Sequence, residues 1–201
     1  KDFAGAKFNF LAANVSLKAD PKRTLFPAYK IKRYGNIPVA FIGLTLEATP
    51  TIVSAAGIKD VDFHDEAETV NSLIPELKKQ GVEAIVVVVH EGVAPSTKFN
   101  AKTCAGLSGP LTGILDRLDT AVDVVVSGHT HQSYICDYST LNPQKPFLLT
   151  SAGQYGTAIT NIKLELDGKT GDVIKKDAQQ VPIQSEAYTS GTTTVNLTNL
   201  Y

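Results

Sequence analysis

Ala84-Ile-Val-Val-Val-Val-His90-Glu-Gly92 and, further along, Val122-Asp-Val-Val-Val-Ser-Gly-His129-Thr-His131 are the two stretches on which the fold turns. Each is largely a β-branched apolar run, followed by a histidine within two residues of a glycine. A run with no polar face offers nothing to water on either side, so both read as strands buried on both faces, the habit of parallel strands covered by helices. In open α/β sheets ligands gather beyond the carboxyl ends of such strands, which is where His90 and His129 fall.

Between the two strands, Gly109 and Pro110 introduce an apolar stretch, Leu111 to Leu118, that predicts a helix. Ahead of the first strand, Asp65 and Glu68 have the spacing of a capping box. Ala67, Val70, Leu73, Ile74 and Leu77 then share one helical face, and Gly81 stops it. Pro75 inside this helix predicts a kink or local break. The chain thus runs strand, helix, strand through its middle.

Further out, Ala28 to Tyr34 and Ile37 to Leu44 read as a hairpin turning at Gly35-Asn36, and Phe8 to Val15 as a buried strand. Pro50 to Ala56, with Gly57 just beyond, predicts a short helix. From Gln132 the pattern is all β: Gln132 to Asp137, Phe147 to Thr150, Thr157 to Leu166, and a hairpin through Asp167-Gly168 into Val173 to Lys176. Residues 184–201 are rich in Ser, Thr and Asn, as a linker would be.

With 201 residues, 43% hydrophobic and 19% charged, the chain has the composition of one globular domain. A net charge of −1 with interspersed signs gives nucleic acid no electrostatic footprint, and no apolar segment is long enough to span a bilayer. Neither nucleic acid nor membrane is expected as a partner. The sequence contains no Met, which reads as a piece of a longer protein.

Three of the four histidines, His90, His129 and His131, stand directly after the two most apolar strands. Imidazoles on rigid strand ends suit metal ligation, with Gly92 and Gly128 letting the backbone approach an ion. The alternative is histidines serving only the core or the surface. Glu91 reads either as a carboxylate orienting an imidazole or as a solvated loop residue. His64 has no assigned role. Cys104 and Cys136 flank the Gly-His-Thr-His loop, and are either disulfide-bonded, which would fasten that loop and imply an oxidising compartment, or a pair of buried thiols.

The order His90-Glu-Gly92, Leu107-Ser-Gly-Pro110, helix, then Val122 through Gln132 resembles the C-terminal half of the calcineurin-like metallophosphoesterase domain of bacterial 5′-nucleotidases and UDP-sugar hydrolases. Leu11-Ala-Ala-Asn-Val15, Ile42-Gly-Leu-Thr45 and Ser151-Ala-Gly-Gln-Tyr-Gly156 extend the likeness over about residues 8 to 180. The resemblance implies an α/β fold, half of a four-layer α/β/β/α sandwich with mixed sheets. It makes residues 1–183 the C-terminal half of the phosphoesterase domain, and 184–201 a linker toward a separate nucleotide-binding domain.

The family site holds two divalent ions, and nitrogen-rich ligation favours Zn²⁺ or Mn²⁺. The matched positions make His90 and His129 ligands of one ion and His131 a ligand of the other. The family's Asp-x-His, Gly-Asp and Gly-Asn-His ligands are not in this sequence. The expected function is dimetal hydrolysis of phosphate esters, most of all nucleotides, by the parent protein, in the periplasm or secreted. The chain alone is expected to be inactive, and to meet its missing N-terminal half or itself through exposed apolar surface. The alternatives are another metallophosphoesterase, such as a cyclic nucleotide phosphodiesterase, or a non-catalytic binding module on the same scaffold.

Overall fold

A computed structural model describes residues 5–96, 98, 100–183, 188–190 and 193–195. In chain order its regular elements are β1 (Val15–Leu17), β2 (Asp20–Thr24), β3 (Tyr29–Tyr34), β4 (Ile37–Leu44), β5 (Val61–Phe63), α1 (Glu66–Lys79), β6 (Ala84–Val89), α2 (Leu111–Arg117), β7 (Val124–Val126), β8 (Ser133–Asp137), β9 (Leu148–Ala152), β10 (Ala158–Leu166) and β11 (Val173–Pro182). Two further strands, β12 (Tyr188–Ser190) and β13 (Thr193–Val195), pair antiparallel. The rest of the linker expected over 184–201 lies outside the described residues.

A six-stranded mixed sheet in the order β3-β4-β6-β7-β9-β8 organises the chain. Its four inner strands run parallel, Leu44 opposite Val89 and Val88 opposite Val126, so that the loops after β4, β6 and β7 emerge at one edge. The outer strands β3 and β8 are antiparallel to their neighbours. This is the mixed α/β sheet that the resemblance implies.

One face of the sheet carries both helices. Ile85, Val87 and Val89 of β6 alternate toward it and pack with Val70, Ile74 and Leu77 of α1 and with Leu111, Ile114 and Leu115 of α2. Asp65 caps α1 by accepting a hydrogen bond from the Glu68 amide at 2.8 Å, and Arg117 of α2 pairs with the same carboxylate at 2.6 Å. That Arg117 contact, foremost, holds the Asp65 carboxyl below its usual range. The helix passes through Pro75 unbroken, because Pro75 lies on its exposed side while its buried stripe continues to Leu77.

The other face is only partly covered. The long antiparallel pair β10–β11 packs across it through Ile162, Leu164, Leu166 and Ala178. Val88 remains 41% exposed, which corrects the expectation of a strand buried on both sides. Val39, Phe41, Val86, Val88 and Val126 with Ile162 and Leu164 line an apolar groove of about 670 Å³ there.

Three other local expectations change. Residues 8–15 are not one strand: Phe8 and Phe10 are exposed, and Ala12 and Ala13 instead donate to the carbonyls of Pro27 and Gly43. Residues 50–56 form two separate 3-10 turns, Thr49–Thr51 and Ala55–Gly57, with no buried residue to hold a longer helix together. The hairpin at Asp167 is longer than two residues, because the Asp167 carboxylate accepts from the Lys169 and Thr170 amides and wraps the turn as far as Gly171.

Asn14 ties this region down. It is fully buried; its amide donates to the carbonyls of Thr45 at 2.6 Å and His64 at 2.9 Å, and its oxygen accepts from the Thr45 amide. Nothing in its sequence context signals this three-way brace. His64 bonds Ser16 Oγ through Nε2 at 2.7 Å, a structural contact.

Candidate metal centre

Because β6 and β7 are parallel neighbours, the residues following them emerge side by side. His90 and His129 meet there, with His129 Nδ1 3.4 Å from His90 Nε2 and the rings edge to face at 5.1 Å between centroids. Both side chains are exposed at the sheet edge. The His131 ring lies 5.7 Å from that of Tyr155.

The loop geometry is forced. Thr130 N donates to Gly128 O at 2.7 Å, closing a three-residue turn around His129, whose φ is 62°. His131 also has a left-handed backbone, at 59°. The two loops are stitched together by Gly128 N to Glu91 O at 3.1 Å and by Thr130 Oγ1 to Val93 O at 2.8 Å. A Cβ on Gly92 would overlap Gly128 O and approach Thr130 Oγ1 to 2.5 Å, so glycine is what lets the loops touch. At Gly128 the only neighbour a Cβ would meet among the described residues is His90 Nδ1, at 3.9 Å. The expected role for glycine thus falls on Gly92, and its reason is the approach of the second loop.

Behind the loops lies the buried Tyr134, 1% exposed. Its hydroxyl accepts from Val93 N at 3.3 Å and shares a 2.6 Å hydrogen bond with Ser127 Oγ, so it touches the loops after both strands. Burial pushes its hydroxyl pKa up, which keeps it protonated. Replacing Tyr134 with Phe leaves Val93 N without its partner. The expected loss is about 1–3 kcal/mol of unfolding free energy, seen as a lower denaturant midpoint at unchanged slope. An unchanged midpoint would mean that the hydroxyl supports nothing.

Glu91 is buried, 5% exposed, and so is not a solvated loop residue. Its carboxylate accepts from Gly92 N at 2.9 Å, and among the described residues no hydrogen bond joins it to an imidazole. Cys104 and Cys136 are disulfide-bonded, with Cα atoms 4.9 Å apart, which fixes the segment between the two ligand loops to β8.

A second cluster was not foreseen. Ligand atoms of Glu47, Asp65 and Glu66 lie within 4.8 Å of one another. Its signal was present only as the acidic start of α1. Two of these carboxylates are already engaged: Asp65 with the Glu68 amide and Arg117, and Glu66 with the Glu47 amide at 2.7 Å. Burial, above all, raises the Glu66 pKa. The cluster is accounted for as the capped N-terminus of α1, where negative charge is favoured.

The histidine pair, by contrast, fits a metal. Two nitrogens bound tetrahedrally at about 2.0–2.1 Å sit about 3.4 Å apart, the separation that these two have.

No protein-family model matches the chain. It is 35% identical over 179 residues to the endonuclease YhcR of Bacillus subtilis, covering 89% of this chain and 14% of that protein. To the 5′-nucleotidase of Vibrio cholerae it is 35% identical over 130 residues, 63% of this chain and 22% of that protein. Among solved structures, the 5′-nucleotidase precursor of Thermus thermophilus superposes with a TM-score of 0.64 at 23% identity, over 89% of this chain and 34% of that one. The chain therefore spans less than a quarter of the length of these two curated relatives.

Proposed function

Because the chain belongs to the 5′-nucleotidase family of calcineurin-like phosphoesterases, we propose that it carries the imidazole half of a two-metal site that hydrolyses phosphate esters, nucleotides foremost. The observation that carries the reading is the His90–His129 pair, two nitrogens 3.4 Å apart at the ends of adjacent parallel strands. His90 and His129 hold one ion and His131 contributes to the other. Divalent ions bound there, Zn²⁺ or Mn²⁺, would lower the pKa of an attacking water and neutralise charge on the phosphoryl oxygens. The chain's own residues position them: Gly92 admits the second loop, the turn at Thr130 fixes His129, and Tyr134 braces both loops from behind.

No carboxylate in this sequence has the position of the family's bridging Asp, so we assign the remaining ligands to residues outside it. The apolar groove beside β10 supports this division, since a second sheet packed there would cover Val88 and Phe41. Left open, it favours self-association. The disulfide supports a periplasmic or secreted location, because such bonds persist in oxidising compartments.

The test compares the 201-residue chain with the full-length protein, each supplied with Zn²⁺ or Mn²⁺, on AMP and on 4-nitrophenyl phosphate. The full-length protein is expected to turn over both, and the chain alone at least about 100-fold more slowly, as incompletely ligated ions would impose. Equal turnover would place the whole site inside this chain and refute the division. The likeness to an endonuclease supports a second reading, in which phosphodiesters are the better substrates. Faster hydrolysis of bis(4-nitrophenyl) phosphate than of the monoester would favour it.

A further inference from the structure

Non-glycine residues with left-handed backbone are rare, and apart from Asn they cost about a kcal/mol or more. Among the described residues there are four, and Asn100, like histidine, is of a type enriched in that conformation. The other three are His129, His131 and Tyr155, at φ 62°, 59° and 54°. Strain of this kind persists where the surrounding structure holds it for function. The first two are explained by the candidate metal centre; Tyr155 is not.

Tyr155 gains little from folding. Its side chain is 88% exposed, and among the described residues its hydroxyl makes no hydrogen bond. Its turn closes without it, through Thr157 N and Thr157 Oγ1 donating to Gln154 O at 3.0 and 2.8 Å. Asn or Gly would suit the backbone better. The turn is also tied to the ligand loop, with Gly153 N donating to Gln132 O at 3.1 Å, and the Tyr155 ring lies 5.7 Å from that of His131 at 58°. An exposed aromatic face is thus held, at a conformational cost, at the rim of the candidate site.

We infer that Tyr155 is a specificity-determining contact for the leaving group: a ring platform for a phosphate ester whose esterified group is itself cyclic, such as a nucleoside. The inference rests on the phosphoesterase reading above. With phosphate at the ions, an esterified group leaving past His131 would meet the Tyr155 ring, whose centroid is 5.7 Å from that of His131. A ribose or base can cover an aromatic face; a small acyclic group such as glycerol cannot.

The experiment uses the full-length protein with Tyr155→Asn, which keeps the left-handed backbone at little cost, and Tyr155→Phe, which keeps the ring. Michaelis parameters are measured on AMP and on glycerol 3-phosphate. Tyr155→Asn is expected to raise KM for AMP about tenfold, the scale of one lost stacking contact, with kcat within about twofold. KM for glycerol 3-phosphate should be unchanged, and Tyr155→Phe should match the wild type on both. A parallel rise on both substrates would overturn the inference by showing that Tyr155 merely supports the His131 loop, and no change on either would overturn it outright. Should the wild type hydrolyse neither ester, the phosphoesterase reading falls on its own. Equilibrium dialysis of radiolabelled AMP then still decides Tyr155: about tenfold weaker binding by Tyr155→Asn sustains the contact, and equal affinities, or no saturable binding by the wild type, refute it.

Discussion

Replacing Gly92 with Ala is expected to lower phosphoester hydrolysis by the full-length protein about 100-fold or more, although position 92 offers no side chain to any ion. The added methyl would overlap Gly128 O and press on Thr130 Oγ1, both parts of the turn that presents His129. A backbone carbonyl cannot swing aside as a side chain can, so the loops must separate. Gly128 N to Glu91 O and Thr130 Oγ1 to Val93 O would then be strained together. Overpacking of this kind costs about 1–3 kcal/mol of stability, and a displacement of about 1 Å at a reacting centre costs about 100-fold in rate. Gly128→Ala is the control, because its methyl meets only His90 Nδ1 at ordinary contact distance. It should fold normally and lose far less activity. Metal content of the two purified variants, alongside rates, reads the same geometry. Wild-type activity in Gly92→Ala would show that the loops need not touch.

The central sheet was legible because its periodicity is unambiguous. β6 and β7 are apolar runs with no competing helical face, and the hairpin of β3 and β4 carries its turn in Gly35-Asn36. Where the reading failed, tertiary context decided. Val88 sits in a run indistinguishable from a fully buried strand, yet it lines an apolar groove on the partly covered face. Pro75 marks no break: α1 runs through it from Glu66 to Lys79, with Pro75 on the exposed side and the buried stripe continuing to Leu77. Pro50 and Gly57 predict one short helix, but the β-branched stretch Thr51-Ile52-Val53 lies between them and the chain breaks there into two turns.

The candidate site was legible in part for the same reason. Two histidines that follow parallel neighbours must emerge together, and they do. What holds them was not readable. Tyr134 lies in a strand where an aromatic is ordinary, and only coordinates bring its hydroxyl to Val93 and Ser127. Glu91 could be placed beside an imidazole or in solvent from its neighbours in sequence; it is buried, bonded to Gly92 N, and lines a pocket with Glu66 and Ile114 of the two helices. Tyr155 gave no signal at all, because a left-handed tyrosine is a property of φ and not of composition.

The assignment of His90 and His129 to one ion, with His131 serving another, makes a prediction about additivity that single variants cannot reach. In the full-length protein, His129→Ala is expected to lose at least about 100-fold in kcat, beyond the 10- to 100-fold typical of removing a mere supporting partner of a metal ligand. His90→Ala should do the same. If both imidazoles complete one coordination sphere, the first loss already empties it, so the double variant should be scarcely worse than the poorer single one. His131→Ala belongs to a different sphere, its ring set against Tyr155 and not in the pair, and should remove a different ion. Metal analysis separates the cases: His90→Ala, His129→Ala and their double should each retain about one equivalent of the wild type's two, and adding His131→Ala should remove the remainder. Multiplicative losses from His90→Ala and His129→Ala, each with full metal content, would mean that the 3.4 Å contact is a hydrogen bond between two surface histidines and not the edge of a coordination sphere.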